Sequence, residues 1–313
     1  MAEDIRFYDF EFNLLRILPS YAVDTGYISI NVRQDFNDSG ALEISFVDNT
    51  LTKLVEQYKD TILVVWRGFQ GFITSYKWTD KKCLVTGMHL NGLLHRSVIP
   101  TLAATTGTVE SVARAAITSN IPWLTLGESK GFTNPVDYET DKYMTADTFI
   151  QDLLALDNAG YAIRADFANK KFVFELIKPQ QNNLMLSVSN LNAYDIELTY
   201  INKSLAYGGW YEDEASGKWT HITTDSTKTD IYNIDTVLSA KTATEAKTEL
   251  KKCIAEYEVT VKTRNVQYGT DYVIGDILRL QTDGMTVRRL VSGVSMWQEK
   301  SYGEEPIFSE VNE

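Results

Sequence analysis

The sequence is poor in the residues from which most catalytic and metal sites are built, with three histidines and two cysteines in 313 residues. Cys83 and Cys253 lie far apart and form no Cys-x-x-Cys pair, so we expect two free thiols in a protein made in a reducing cytoplasm. The chain also lacks a long hydrophobic run. Its densest, Ile62 to Trp66, is far below the ~20 residues that a spanning helix needs. No signal-peptide pattern follows Met1, and we expect no membrane segment.

Positive charge is scarce as well. Lysine and arginine total 30 against 42 aspartates and glutamates, a formal net charge of −12 at pH 7. An excess of negative charge argues against tight binding to a polyanion such as DNA. The 44% hydrophobic content is enough for a folded core. Because single cores stop growing at roughly 250–300 residues, we expect two or three domains.

Apolar residues recur mostly with period two, and the 17 tyrosines and 13 phenylalanines also favour strands. The fold class that follows is mainly β, a β-rich α+β protein with short strands typical of small barrels or sandwiches. Predicted strands include Phe10–Leu14, Ile28–Val32, Leu42–Val47, Ile62–Trp66, Phe69–Trp78, Lys82–Met88, Tyr161–Phe167, Lys171–Ile177, Leu184–Val188, Tyr194–Tyr200, Leu205–Glu212, Trp219–Thr223, Tyr257–Val266, Ile277–Gln281 and Val287–Trp297. The Asp283-Gly284 pair between the last two predicts a hairpin turn.

Four short segments have helical spacing instead and begin at Asn49, Thr108, Thr145 and Thr242. The last has a Thr242-x-x-Glu245 capping box. Proline-containing breaks at residues 100 and 179 suggest domain boundaries. We therefore predict a first β-barrel domain at 1–100, an α/β intermediate domain at 101–180, a second β-barrel domain with one helix at 181–298, and a loosely ordered acidic tail at 299–313.

A search for chemistry finds no catalytic arrangement. His89 and His95 are six residues apart, which fits no common zinc pair, and we interpret them as polar positions flanking a buried leucine cluster. His221 lies in a strand with no cysteine nearby. The run 35–40 resembles the start of a calcium loop but has Phe46 where the bidentate glutamate is required, which favours a hairpin turn. Acidic loops at 137–141 and 212–214 leave a weak cation site open. We expect no enzyme activity, no cofactor and no metal.

Aromatic residues cluster in one stretch of the last third. Such side chains stack on sugar rings or partner surfaces, but across strands they also simply pack against each other, and both interpretations stay open. The candidate ligand or partner aromatics are Tyr207, Trp210, Tyr211 and Trp219.

Two stretches carry a family resemblance. In the first, the hairpin that begins at Trp66–Ile73 is followed by the strand Lys82–Thr86 and a motif consisting of Gly87, Leu90, Leu93, Leu94, Arg96 and Val98. In the second, Tyr268–Leu278 contains a Gly275-Asp276 pair that opens a strand. Together they resemble the baseplate or tail-tip hub proteins of long-tailed bacteriophages and related contractile injection particles. From the residues alone, Gly87 allows a turn or a close approach of two backbones at the end of the strand, and Gly275 supplies a turn before a strand. The three leucines bury a short helical turn, which Arg96 caps or stabilises through a salt bridge.

The resemblance implies a homotrimer in which each chain contributes two small barrels to a ring, adapting a sixfold tail tube to a threefold spike or fibre. The implied partners are a tail-tube or distal-tail ring protein and a spike or fibre protein. The ring would enclose a channel through which DNA or a tape-measure protein passes only in transit. Three copies of the chain carry a charge of three times −12, or −36, so a negative channel would not bind DNA. Assembly in the bacterial cytoplasm and location in the virion follow. Since this chain stops soon after the second stretch, we expect no lytic extension. A glycan-binding or adhesin module of a tail tip is the alternative.

Overall fold

The structure is a computed structural model that describes residues 3–20, 26–79, 82–100, 106–138, 143–187, 196–201, 205–227, 229, 231, 233–251, 253, 256–261, 266–282 and 285–311. Strands dominate, so the mainly β class is confirmed. Up to residue 100 the strands are β1 (Ile5–Asp9), β2 (Leu14–Leu18), β3 (Tyr27–Asp35), β4 (Ala41–Phe46), β5 (Ile62–Trp66), β6 (Phe69–Trp78), β7 (Cys83–His89) and β8 (Val98–Ile99).

Fifteen further strands follow among the described residues. In the middle of the chain they are β9 (Thr106–Thr108), β10 (Leu124–Leu126), β11 (Pro135–Asp137), β12 (Met144–Thr145), β13 (Gly160–Asp166), β14 (Lys171–Ile177) and β15 (Gln180–Ser187). In the last third they are β16 (Ile196–Ile201), β17 (Gly208–Asp213), β18 (Lys218–Thr223), β19 (Asp235–Val237), β20 (Glu256–Val261), β21 (Asp276–Thr282), β22 (Met285–Gln298) and β23 (Tyr302–Ser309).

The helices begin where capping residues occur in the sequence. They are α1 (Asn49–Tyr58), α2 (Val109–Asn120), α3 (Ala146–Ala155) and α4 (Ala243–Lys251). Thr108 caps α2 in a capping box with Ser111, and Thr242 accepts from the amide of Glu245 at α4. The cap of α1 is Asp48, one residue before the predicted Asn49, because its carboxylate accepts from the amide of Leu51. Asn158 has a positive φ of 47° after α3, the left-handed conformation in which many helices end.

Contacts divide the chain into two compact units. Unit 1 consists of Met1–Ile196 with Val261–Glu313, and unit 2 is Glu197–Thr260. The boundaries proposed from sequence at 100 and 180 stay a prediction. In unit 1 the main sheet has the order β23-β22-β3-β4-β7-β6-β5-β1-β2, with β21 pairing to β22 and β15 to β21. Within the described residues these strands close no barrel, so the expected pair of closed barrels is not confirmed.

Strand β22 joins the two ends of the sequence in one sheet. Its first half pairs antiparallel with β21, and its second half pairs with β3, with Met296 opposite Val32. Strand β23 runs along the other side of β22. Thr282 lies opposite Met285, so the predicted hairpin exists, although Asp283 and Gly284 themselves lie outside the described residues. Strands from the first and the third predicted segments therefore share one sheet.

The middle of unit 1 has its own hydrophobic core. Helices α2 and α3 pack against a small sheet of order β10-β14-β13 through buried side chains that include Ile117, Phe149, Leu153, Tyr161 and Phe174. The strand pair predicted here is confirmed, with Ile163 opposite Phe174. These five residues lie on helices, where apolar residues recur every three or four positions, or on strands, where they recur every second position. The sequence pattern therefore indicates that they are buried.

Two local predictions are wrong. In place of the predicted strand Phe10–Leu14, residues Phe10 to Asn13 form a turn between β1 and β2, because Phe12 has a φ of 67° and the Asp9 carboxylate accepts from the amides of Glu11 and Asn13. The alternating aromatics of this turn, Phe10 and Phe12, pack into the middle core. Phe10 contacts the rings of Phe72 and Phe172, and Phe12 also contacts Phe172.

The segment predicted as a loosely ordered acidic tail contains strand β23, which pairs with β22 over most of its length. Its acidic residues do not prevent this, because Glu304 is buried and accepts hydrogen bonds from the amide of Tyr268 and the hydroxyl of Tyr302. The guanidinium of Arg67 lies 4.0 Å above the Tyr302 ring and offsets the local negative charge.

Candidate functional site

The resemblance motif lies where the main sheet of unit 1 meets the middle core. Gly87 is paired with Leu42 on one side and Ile73 on the other, and a Cβ there would come within 2.0 Å of the Phe72 carbonyl oxygen. A close backbone approach therefore requires glycine, as one of the two predicted roles states. Leu90, Leu93 and Leu94 are buried in a 3₁₀ turn, Leu90–Arg96, which confirms their assignment to a short helical turn.

Arg96 forms an ion pair, but with a residue outside the turn. Its guanidinium donates to the backbone oxygen of Asp60 at 2.8 Å and lies 3.7 Å from the Asp60 carboxylate. It also lies over the rings of Phe72 at 4.8 Å and Phe10 at 5.4 Å. The arginine thus joins the turn before β5, the β1–β2 turn and β6, which makes it a fold residue of this junction.

The junction depends on a residue that the sequence analysis did not single out. Asn91 is fully buried, and its side-chain amide donates to the carbonyl oxygens of Asp38 at 3.0 Å and Tyr161 at 3.1 Å, while its oxygen accepts from the amide of Ile163 at 2.8 Å. The side chain therefore bonds to the free edge of β13 as a neighbouring strand would.

Gln70 repeats this pairing further along β13. Its side-chain oxygen accepts from the amide of Ala165 at 2.7 Å, and its nitrogen donates to the carbonyl of the same residue at 3.3 Å. Two amides thus attach the middle core to the main sheet. A buried asparagine beside the leucines was the available signal, but a single sequence does not show what it bonds to.

The second resemblance motif forms a tight turn before β21. Gly275 has a φ of 97°, in the left-handed region, and the strand begins at Asp276, as predicted. The buried Asp276 carboxylate accepts from the amide of Val273 at 2.9 Å and from the Asn182 side chain at 2.7 Å. These bonds hold β15 beside β21, which explains a glycine-aspartate pair here in terms of the fold.

The three histidines do not converge. His89 is buried, and its Nδ1 accepts from the amide of Asn91, while burial lowers the pKa of the ring to about 4. His95 contacts Asp147 at 3.0 Å on α3. His221 belongs to unit 2. Among the described residues, no group of three or more histidine, cysteine, aspartate or glutamate side chains could hold a metal ion.

In unit 2 the aromatic candidates separate onto two faces of the hairpin β17–β18. Tyr211 is buried with Leu238, Ala246 and Leu250 in the core beneath α4, so it is a packing residue. Trp210 lies opposite His221, and Trp219 lies opposite Glu212, which places both tryptophans on the outer face. Tyr207 precedes β17, and its carbonyl accepts from Thr223 and Thr224.

On that outer face a polar cluster joins three strands. The Asp235 carboxylate of β19 contacts Nε2 of His221 at 3.1 Å and accepts from the indole of Trp210 at 3.2 Å and from Asn233 at 3.0 Å. The bridge crosses Gly208, where a Cβ would lie 2.0 Å from the Asp235 oxygen. This geometry fixes the Trp210 ring on an exposed surface.

One open cleft of about 500 Å³ lies in unit 1, on the outer face of β13 and β14. Its charges alternate in sign, and Arg164 pairs with Glu175 across it at 2.9 Å. Both cysteines are free, and no helix in the described part of the chain is long and apolar enough to cross a bilayer.

No family model and no curated protein matches the sequence. Solved structures match along nearly the whole chain. The tail protein of Neisseria meningitidis MC58 has a TM-score of 0.64 at 12% identity and covers 99% of this chain and 97% of its own. The chain has the fold of phage tail proteins. The 43 kDa tail protein of prophage MuSo2 from Shewanella oneidensis has a TM-score of 0.61 at 12% identity, with 98% of each chain covered.

The likeness extends to a baseplate component. A protein of the phage P2 baseplate in its activated conformation with Ca has a TM-score of 0.51 at 6% identity, over 97% of this chain and 98% of that one. The resemblance identified from the two motifs is thus confirmed at the level of the fold. Both motifs lie at junctions of that fold, between the main sheet and the middle core and between β15 and β21.

Proposed function

We propose that this protein is a structural baseplate or tail-tip hub of a phage tail, which assembles as a homotrimeric ring and adapts a sixfold tube to a threefold spike or fibre. The observation that carries the proposal is the likeness to a phage tail protein over 99% of the chain. The chain acts by shape, and its residues at the two motifs serve the fold rather than a reaction.

The proposed ring contains two strand-rich modules from each protomer, which neighbouring chains complete as barrels. An edge of the main sheet supports this arrangement. Among the described residues, strand β2 ends the strand order and has no partner on its outer side, and its Leu14 and Ile17 remain 51% and 41% exposed. Unpaired strand edges with apolar side chains are surfaces on which another chain can add a strand. A permanent interface of this kind buries about 2,000 Å² or more.

The charge of the chain agrees with a channel. Three copies carry −36, and a negative lumen would let DNA or a tape-measure protein pass without binding. The remaining partners of the proposal are a tail-tube or distal-tail ring protein on one side and a spike or fibre protein on the other. In this proposal the protein resides in the virion.

Light scattering after gel filtration tests the trimer. Each chain has a mass of 35.4 kDa, so the ring has a mass of about 106 kDa. The sample is measured alone and mixed with the tube or distal-tail protein of the same particle, because assembly can require that partner. A trimer that joins the partner's ring supports the hub. A monomer under both conditions overturns it.

A lysine substitution tests the role of the β2 edge. Ile17→Lys places a charge on the free edge and is expected to shift the trimer to monomers at micromolar concentration. The matched control is Ile28→Lys, because Ile28 is 50% exposed but lies in β3, an interior strand. Equal effects of the two variants would place the interface elsewhere.

A further inference from the structure

The outer face of the unit 2 hairpin presents two tryptophans beside carboxylate oxygens that can accept further hydrogen bonds. Trp210 is 42% exposed and Trp219 is 56% exposed. Trp210 lies on β17 opposite His221, and Trp219 lies on β18 two residues before His221. The two tryptophans are therefore diagonal neighbours on one face of the hairpin. The exposed Glu212 lies directly opposite Trp219.

The polar cluster holds one of these rings in place. The Trp210 indole donates to Asp235 and packs on the ring of His221, with centroids 4.9 Å apart. Gly208 is a glycine because this bridge passes directly over it. The His221 hydrogen bond, the largest of several causes that favour the anion, helps hold the pKa of Asp235 below its ordinary value, so the carboxylate is ionised at neutral pH.

The cluster retains capacity for a ligand. A carboxylate oxygen can accept two hydrogen bonds, and Oδ2 of Asp235 accepts one within the described chain, from Trp210. Glu212 offers a second acceptor next to Trp219. The side chains that the register places on this face include carboxylates, an imidazole and a threonine hydroxyl, but no lysine or arginine within its described strands. An anionic ligand would therefore be repelled.

From these observations we infer that the outer face of β17–β18 is a binding site for a neutral sugar chain. The apolar face of a pyranose ring stacks on an indole, while its hydroxyls donate to fixed carboxylates, and the two tryptophans provide platforms for neighbouring rings. The inference goes beyond the proposed hub, since it gives the tail component a contact with a cell-surface glycan.

The test is a titration of the full-length protein with soluble oligosaccharides, followed by tryptophan fluorescence and calorimetry. The probes are the neutral tetrasaccharides of chitin, cellulose, starch and mannan, with tetragalacturonate as the anionic comparison. We expect at least one neutral probe to bind with a millimolar or tighter Kd, and Trp219→Ala or Trp210→Ala to weaken it about tenfold or more. Tetragalacturonate is expected to bind at least tenfold more weakly than that probe.

The matched control is Trp78→Ala, because Trp78 is 50% exposed but lies in β6 of unit 1. It should leave the Kd unchanged, and Trp219→Phe should retain most of the affinity because a ring remains. Circular dichroism checks that each variant is folded. The inference is overturned if none of the neutral probes binds at concentrations up to about 10 mM, if Trp78→Ala has the same effect as Trp219→Ala, or if tetragalacturonate binds as well as the neutral probes. None of these results depends on whether the protein is a trimer.

Discussion

At the scale of single residues, His89 shows how burial changes a titratable group. The ring lies between β7 and the 3₁₀ turn, 5.5 Å from the ring of Phe69, and accepts a hydrogen bond that only its neutral form can accept. Its pKa is lowered to about 4 by burial, from an unfolded value of 6.5. The unfolded chain therefore binds more protons between these two values.

This difference predicts a loss of stability in acid. As the pH falls from about 6.5 to 4, His89 is expected to lower the free energy of unfolding by on the order of 3 kcal/mol, since each pKa unit corresponds to 1.36 kcal/mol. Urea unfolding as a function of pH measures the effect. His89→Gln should flatten the curve in this window. A proton-resonance titration of His89 with a midpoint near 6.5 would contradict the prediction.

Asn91 is the residue on which the junction of the two unit 1 cores most depends. Asn91→Leu keeps the branched shape of the side chain, although leucine is larger, and it leaves the carbonyls of Asp38 and Tyr161 and the amide of Ile163 without their partner. We expect a loss of roughly 3–5 kcal/mol in the free energy of unfolding, measured in urea.

The control for this prediction is Asn120→Leu. Asn120 makes one described bond from its side-chain nitrogen, to the carbonyl of Ala116 at the end of α2, so the same substitution should cost about 1 kcal/mol or less. Similar urea midpoints for the two variants would show that the β13 edge does not depend on Asn91.

At the scale of elements, β23 is the least expected strand of the fold. Its partner β22 is paired on its other side by β21 and β3, so β22 is interior only because β23 covers it. Cation–π contact with Arg67 and the buried Glu304 hold β23 in place. An acidic composition by itself thus does not imply a disordered end.

Removal of β23 is expected to expose β22. In a chain ended after Lys300, amides of residues 290–298 should exchange with deuterium much faster, and the melting temperature should fall by several degrees. A chain ended after Val311 keeps the strand and should behave as the full-length protein does. Unchanged protection of β22 in the shorter chain would contradict the pairing.

At the scale of the whole molecule, the two units have separate cores. Tyr211 is buried in the core of unit 2, and Tyr161 in the middle core of unit 1. Tyr211→Ala is expected to lower the free energy of unfolding of unit 2 alone, and Tyr161→Ala that of unit 1 alone, each by roughly 3–5 kcal/mol. The melting transition of the affected unit should shift to lower temperature, while that of the other unit stays in place. Scanning calorimetry distinguishes the two. A single transition that both substitutions shift equally would mean that the units unfold together.

Local patterns in the sequence predict much of the fold at the level of elements. β5 and β6 have the bounds that their apolar runs and the short break between them indicate. Thr108 caps α2 because a threonine before an apolar helical stripe satisfies a free amide. The alternation over Phe10–Leu14 predicts a strand, but a turn whose two aromatic rings enter the same core produces the same pattern. The roles predicted for Gly87 and Gly275 depend on the backbone. Gly87 allows a close approach to the Phe72 carbonyl, and Gly275 adopts the positive φ of a turn.

What the sequence by itself determined is the mainly β class, the helix starts, the buried leucine turn and the resemblance to tail proteins, since each of these depends on neighbours along the chain. Only the tertiary structure decided the pairing of β3 with β22, the covering of β22 by β23, the amide bonds of Asn91 to β13 and the bridge over Gly208. These contacts join residues from distant parts of the chain, and their free energy comes from groups that meet only after the backbone has folded.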